Sequence, residues 1–258
     1  MRLMKRILSA AAVLALSASL LVGCSSGTAS SVPVSASSAA ESTVSSVEET
    51  ASSAVDENEA AAAQLLNDLT GSYQELWPVI LADEYKQIWL DDCTALVGEE
   101  NAEAAFEKLS SMVTSDVYGE DAVEAYANGG GAYFCGFTNS LATLTFDGET
   151  STISGTDKDG NVLFSHTYHY IGMEPVRGLY EFQSDDADSG EFTYFFLAPD
   201  TSAETYHIEF RYGSDAEALS QYDTGEYAYW LASGISTDCD QTMIDNCIEL
   251  FCTENLAG

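Results

Sequence analysis

The strongest constraint on the fold is a change of period. Before Gly129-Gly130-Gly131 the apolar residues recur at helical spacing; from Ala132 onward they alternate. Leu141–Phe146 and Thr150–Gly155 read as strands, with a turn at Asp147-Gly148 between them. Asp157-Lys158-Asp159-Gly160 is a hairpin signal. Val162–Ile171, Gly178–Phe182, Phe192–Leu197 and Thr205–Tyr212 continue the series, with turn residues at short intervals. That pattern predicts a sandwich or small barrel of about seven or eight antiparallel strands.

The segment ahead of the strands reads as mostly helical. Glu57–Leu66 is alanine-rich and helix-compatible, and Thr70-Gly71 breaks it. Asp83–Leu96 is loosely helical in period. Asn101–Val113 is a better helix, with Asn101 placed to cap it and Ala105, Phe106, Leu109 and Met112 on one face. A helix-like segment, Asp240–Cys252, closes the chain.

The N-terminus points to export. Arg2, Lys5 and Arg6 precede an apolar run, Ile7–Val22, and the run ends Leu21-Val22-Gly23-Cys24. A basic start, a short apolar stretch and small residues before the cut describe a secretory signal. The run is short of the ~20 apolar residues that span a bilayer. Its ending resembles the lipobox of bacterial lipoproteins, which implies cleavage before Cys24 and a lipid on that cysteine. The expected address is the outer side of the cell membrane. From Ser25 to about Asp56 the chain is Ser, Ala, Val, Thr and Glu without an aromatic residue. Such a stretch buries too little apolar area to offset its ordering entropy, so it reads as a tether. Residues 57–258 then form one domain, which contains all 14 Tyr, 11 Phe and 3 Trp.

Charge excludes one class of partner. The formal net charge is −34, with 42 acidic residues against eight Lys and Arg, three of which lie in the signal. Nucleic-acid binding needs clustered cations to displace counterions from phosphates, so it is not expected. An anionic membrane surface would also repel the domain, which leaves the lipid on Cys24 as its attachment. Cysteines 93, 135, 239, 247 and 252 include no CxxC pair, and their odd number leaves at least one thiol unpaired.

No nucleophile elbow, HExxH or phosphate-binding glycine loop is present, so no enzyme is expected. Asp157–Gly160 lacks the ligands of a full calcium loop and reads as a turn; Asp185-Asp186-Ala187-Asp188 reads as a solvated acidic loop. His166 and His169 are three apart and fall on opposite sides of a strand. His207 and Glu209 differ, because residues i and i+2 of a strand point the same way, ~6–7 Å apart. They form either half of a metal site or two polar residues on the wet face of a strand.

Several segments resemble one family. Leu69–Pro78 is similar to the Trp-x-Gly-x-Trp-Gln-x-x-Tyr-Pro opening of the ZinT family of zinc-binding proteins. Tyr168–Phe182 resembles its aromatic strands, Leu197-Ala198-Pro199 its Ile-Ala-Pro hairpin, Phe210–Asp215 its Phe-x-Gly-Asn-Asp end, and Trp230–Phe251 its closing stretch and helix. The likeness runs from about Asn67 to Leu250. It implies a lipocalin-like (calycin) β-barrel with helices at one end. It also implies divalent-metal binding, typically of Zn²⁺, in the barrel mouth through three histidines. In this chain the first of those positions falls on Phe195, which cannot ligate, and the His-x-His falls on His207 and Glu209. Asp200 or Glu204 in the intervening loop could substitute.

The expectation is therefore a lipid-anchored extracytoplasmic protein that captures Zn²⁺ or another divalent ion through His207 and Glu209 and passes it to a metal importer or its solute-binding protein. The alternative is a calycin-type module that has lost the metal and holds a small apolar or sugar-like ligand among Tyr168, Tyr170, Tyr180, Tyr194, Phe196 and Tyr206. The anchor has its own test. Cys24→Ala should abolish labelling by a fatty-acid probe and release the chain from the membrane fraction; labelling that survives the substitution would refute the lipobox.

Overall fold

The fold is that of a computed structural model, which describes residues 57–198 and 207–256. Eight antiparallel strands close into a barrel, each paired with its neighbours in chain order: β1 (Gly71–Glu75), β2 (Thr143–Asp147), β3 (Thr152–Thr156), β4 (Val162–Met173), β5 (Tyr180–Ser184), β6 (Tyr194–Leu197), β7 (His207–Gly213) and β8 (Ala232–Ser236). With flanking helices, this is the up-and-down architecture of calycin, or lipocalin-like, barrels. The helices are α1 (57–68), α2 (Leu76–Ile80), α3 (Lys86–Val97), α4 (Glu99–Ser111), α5 (Glu120–Ala127), α6 (Ala216–Leu219) and α7 (Gln241–Leu256).

Most strands match the period-two reading. At the hairpin between β3 and β4, Asp157 Oδ1 accepts the N–H groups of Asp159 and Asn161, and Gly160 takes φ +81°. Thr205 and Tyr206, the expected start of β7, lie outside the described residues. Two strands have no counterpart in that reading. β1 sits inside the segment read as helical, five residues opened by a glycine and followed at once by α2. β8 is Ala-Ser-Gly-Ile-Ser and buried at every position, so neither face shows a polar rhythm. β1 pairs with β2 through Tyr73↔Leu144 and with β8 through Tyr73↔Ser236, so these two strands close the barrel. One cap also differs from expectation. Gly98 precedes α4, while Asn101 lies within it and its side chain donates to Val97 O.

Strand alternation sorts the side chains into two cores. Tyr73, Leu144, Phe146, Ile153, Phe164, Tyr168, Phe182, Phe195, Phe210 and Tyr212 belong to the buried cluster that fills the lumen. Register places Phe195 beside Tyr212 and Leu197 beside Phe210, on the inner face. Register puts Tyr194 and Phe196 on the other face of β6 from Phe195, although Phe196 is fully buried and belongs to the same cluster. Outside the wall lies a second core, in which Leu76, Trp77 and Ile80 of α2, Trp89 and Cys93 of α3, Leu109 of α4 and Ile248 and Cys252 of α7 pack with Ile235 of β8.

Both barrel mouths are covered. α1 and the residue after its end contribute Ala62, Leu65, Leu66 and Leu69 to the lumen cluster. At the other end Phe137 meets Phe210, with ring centroids 5.3 Å apart, and the Tyr212 hydroxyl donates to Thr138 O and accepts from Thr138 N. The α1 plug needs a glycine at the β2–β3 turn. A Cβ on Gly148 would lie 2.4 Å from Asn67 Cα and 2.6 Å from Leu66 O. Gly148→Ala should therefore cost about 1–3 kcal/mol in urea unfolding. Gly172→Ala, whose Cβ meets nothing within 4 Å, should change stability by less than about 1 kcal/mol. Equal effects would show that α1 does not bear on the turn.

Candidate metal centre

β7 is the wall between the two cores. Ile208, Phe210 and Tyr212 point into the lumen cluster, and His207, Glu209 and Arg211 point out. His207 lies opposite Ile235 of β8, and Glu209 opposite Ser233. Both are half-buried. The i, i+2 spacing thus gives the shared face that the sequence suggested, and that face is the outer one.

The outward position sets the electrostatics. Ser233 N donates to Cys135 O at 3.0 Å, which brings the 135 segment alongside this part of β8. Burial, and then the Glu209 charge, push the Cys135 thiol up to about 12. Cys247 of α7 is likewise pushed to about 12 by burial, with Cys239 and Glu209 adding to it. On this face the Glu209 carboxylate and the His207 imidazole are an oxygen and a nitrogen donor.

Phe195 stands on the opposite face from His207. Its ring packs in the lumen against Tyr168, centroids 5.4 Å apart, and against Tyr212 at 5.3 Å. A histidine at 195 would point away from His207 and Glu209, so the three positions that the resemblance aligns do not converge here. Among the described residues no group of three or more His, Cys, Asp or Glu is placed to hold a metal. Asp200 and Glu204, the suggested substitutes, lie outside the described residues. The donor set therefore does not fit a three-imidazole zinc site.

The other two histidines are tied to carboxylates. His166 Nδ1 is 2.7 Å from Asp186 Oδ2, and His169 Nδ1 is 2.6 Å from Asp185 Oδ1. The acidic loop after β5 is thus a set of hydrogen-bond partners for β4. The expected aromatic pocket is packed as well: Tyr168 donates to Phe192 O, and Tyr170 and Tyr180 meet edge to face. Tyr206 lies outside the described residues. Two surface depressions, of about 420 and 480 Å³, are lined by Tyr118, Gly119, Glu120, Asp121 and Glu226, and by Gly98, Glu99 and Glu100; neither is lined by a barrel strand.

Arg211 is the polar residue that the sequence reading passed over. It is fully buried on the outer face, and its guanidinium donates to the carbonyls of Leu219, Gln221 and Tyr227. The Tyr222 ring lies 4.4 Å from it. Arg177 also sits over that ring, at 4.2 Å, while buried Glu174 accepts the Val176 and Arg177 N–H groups and the Tyr222 hydroxyl. A lone arginine between aromatic strand residues was the available signal.

No family model matches this chain, and no curated protein matches it. Among solved structures it is similar to the crystal structure of the Zn(II)-bound ZinT-like domain of Streptococcus pneumoniae AdcA. That match has 15% identity and a TM-score of 0.45, and covers 71% of this chain and 89% of that one. It is also similar to Zn(II)-bound AdcA from the same organism, at 14% identity and a TM-score of 0.43, over 72% of this chain and 35% of that one. Likeness at that level transfers no residue or ligand to this chain.

Burial ranks the thiols. In native protein near pH 8, Cys239, the half-buried one, should react first with a thiol reagent, and Cys135 and Cys247 only on unfolding. Rapid native labelling of Cys135 would overturn this packing of the outer face.

Proposed function

We propose that this chain is an extracytoplasmic lipoprotein, anchored through Cys24, whose barrel domain holds a divalent cation at the start of β7. His207 and Glu209 are its two protein ligands, and water completes the coordination. The observation that supports this reading is the shared, half-buried outer face of those two residues, opposite Ile235 and Ser233.

An imidazole and a carboxylate suit Zn²⁺, and also Mn²⁺. Two protein donors hold either ion less tightly than three imidazoles would. Weak, exchangeable binding suits a protein that collects ions outside the membrane and hands them to an importer. The domain's acidity supports the same role by raising the local cation concentration. A small-ligand module is the weaker reading, because aromatic rings fill the lumen and both mouths are covered.

Calorimetric titration of the mature chain, without its lipid, tests the site with Zn²⁺ and Mn²⁺. One-to-one binding should be lost in His207→Ala and weakened at least tenfold in Glu209→Gln. Ion at ~100 times its Kd should raise Tm by about 5–10 °C, since it binds only the folded state. Binding that both substitutions leave unchanged would remove these residues from the site.

A further inference from the structure

We propose that Cys93 and Cys252 form a disulfide that staples α3 to α7 in the exported protein. Their sulfurs are 4.0 Å apart, across a sequence separation of 159 residues. Both residues are fully buried in the outer core, beside Trp89 and Ile248. Cys239 also bears on Cys247, whose thiol it helps to raise, but the sulfur contact is between Cys93 and Cys252. A disulfide needs ~2.05 Å between sulfurs, so bonding draws the two together by about 2 Å. The pairing leaves Cys135, Cys239 and Cys247 as thiols.

The position gives the bond a purpose. α7 is the last element described, and it packs on the helical layer through contacts such as Phe251 against Trp77 and Trp89. A link at Cys252, one turn from the end of α7, restrains that helix. It also restricts the unfolded chain through a very long loop.

Chemistry sets when the bond forms. Exchange needs a thiolate, and burial raises the pKa of both thiols, with Asp92 adding to it. In the folded core neither thiol is an effective nucleophile. The bond is made while the chain folds, by a disulfide oxidant of the extracytoplasmic compartment, either a protein or a small molecule. One cysteine thiolate attacks the oxidant's disulfide and forms a mixed disulfide. The second thiolate then displaces the oxidant's remaining sulfur. The two cysteines lose two protons and two electrons, and the oxidant leaves as two thiols. In the cell this rests on the extracytoplasmic address proposed above, because a reducing compartment would keep the thiols free.

The pairing itself can be tested without that address. The mature chain carrying Cys24→Ser is unfolded with reductant, then refolded in reduced and oxidised glutathione. Remaining thiols are blocked with N-ethylmaleimide in denaturant, which exposes the buried cysteines, and peptides are mapped by mass spectrometry. One cross-linked peptide holding Cys93 and Cys252 is expected, with Cys135, Cys239 and Cys247 blocked. The oxidised form should melt about 10 °C above the reduced form, and Cys93→Ala and Cys252→Ala should each abolish that difference. Five blocked cysteines, or a different dominant pair, would overturn the proposal. Protein taken from cells then separates the two readings: a link there upholds both, whereas free thiols in a chain that links on refolding count against the address alone.

Discussion

Everything else in the molecule depends on three residue pairs between the first and last strands: Tyr73↔Ser236, Gln74↔Ile235 and Glu75↔Gly234. They join residues 159 to 163 positions apart and turn an open sheet into a barrel. Without them two edges would present unpaired N–H and C=O groups, an invitation to other chains. Closure also sets the helical layer, because α2 follows β1 directly and α7 follows β8 after a short turn. Forming the barrel carries both helices to the same outer face, where they share a core with Ile235.

A closed wall has two sides, and β7 shows what that means for chemistry. Its aromatic and aliphatic residues complete a lumen already crowded with rings, so the polar residues between them face out. His207, Glu209 and Arg211 consequently meet the helical layer and the loops, rather than one another's counterparts across the barrel. Phe195 cannot help His207, whatever residue stands at 195, since the backbone turns the two side chains to opposite faces.

The few cations are used selectively. Lys86 pairs with Glu103 on the surface, an interaction of small worth in water. Arg177 and Arg211 flank the Tyr222 ring, and buried Arg211 gathers carbonyls of the 219–227 loop. Carboxylates crowd elsewhere. Burial and the neighbouring Glu249, Asp245 and Asp91 raise the pKa of Asp92 at the α3–α7 seam. A raised carboxylate favours the folded state below its unfolded pKa and loses that advantage as pH rises through its folded one. The same seam that Cys93 and Cys252 can lock is thus under electrostatic load at neutral pH.

Sequence alone determined the local pattern: the strands from Leu141 to Tyr212, the Asp157–Gly160 hairpin, the closing helix and the shared face of His207 and Glu209. Period and turn chemistry are written into neighbouring residues, so they can be read without knowing the partner. The calycin expectation drawn from the resemblance over about Asn67 to Leu250 agrees with the closed barrel. What only tertiary structure decided is closure, sidedness and pairing. β1 runs at once into the helical α2, and β8 is too uniformly small and buried to show a period. Which face of β7 looks inward follows from the register with β6 and β8. Cys93 meets Cys252, rather than the nearer Cys135, because α3 and α7, far apart in sequence, pack together on the outside of the barrel. Those are contacts between distant residues, and no local spacing encodes them.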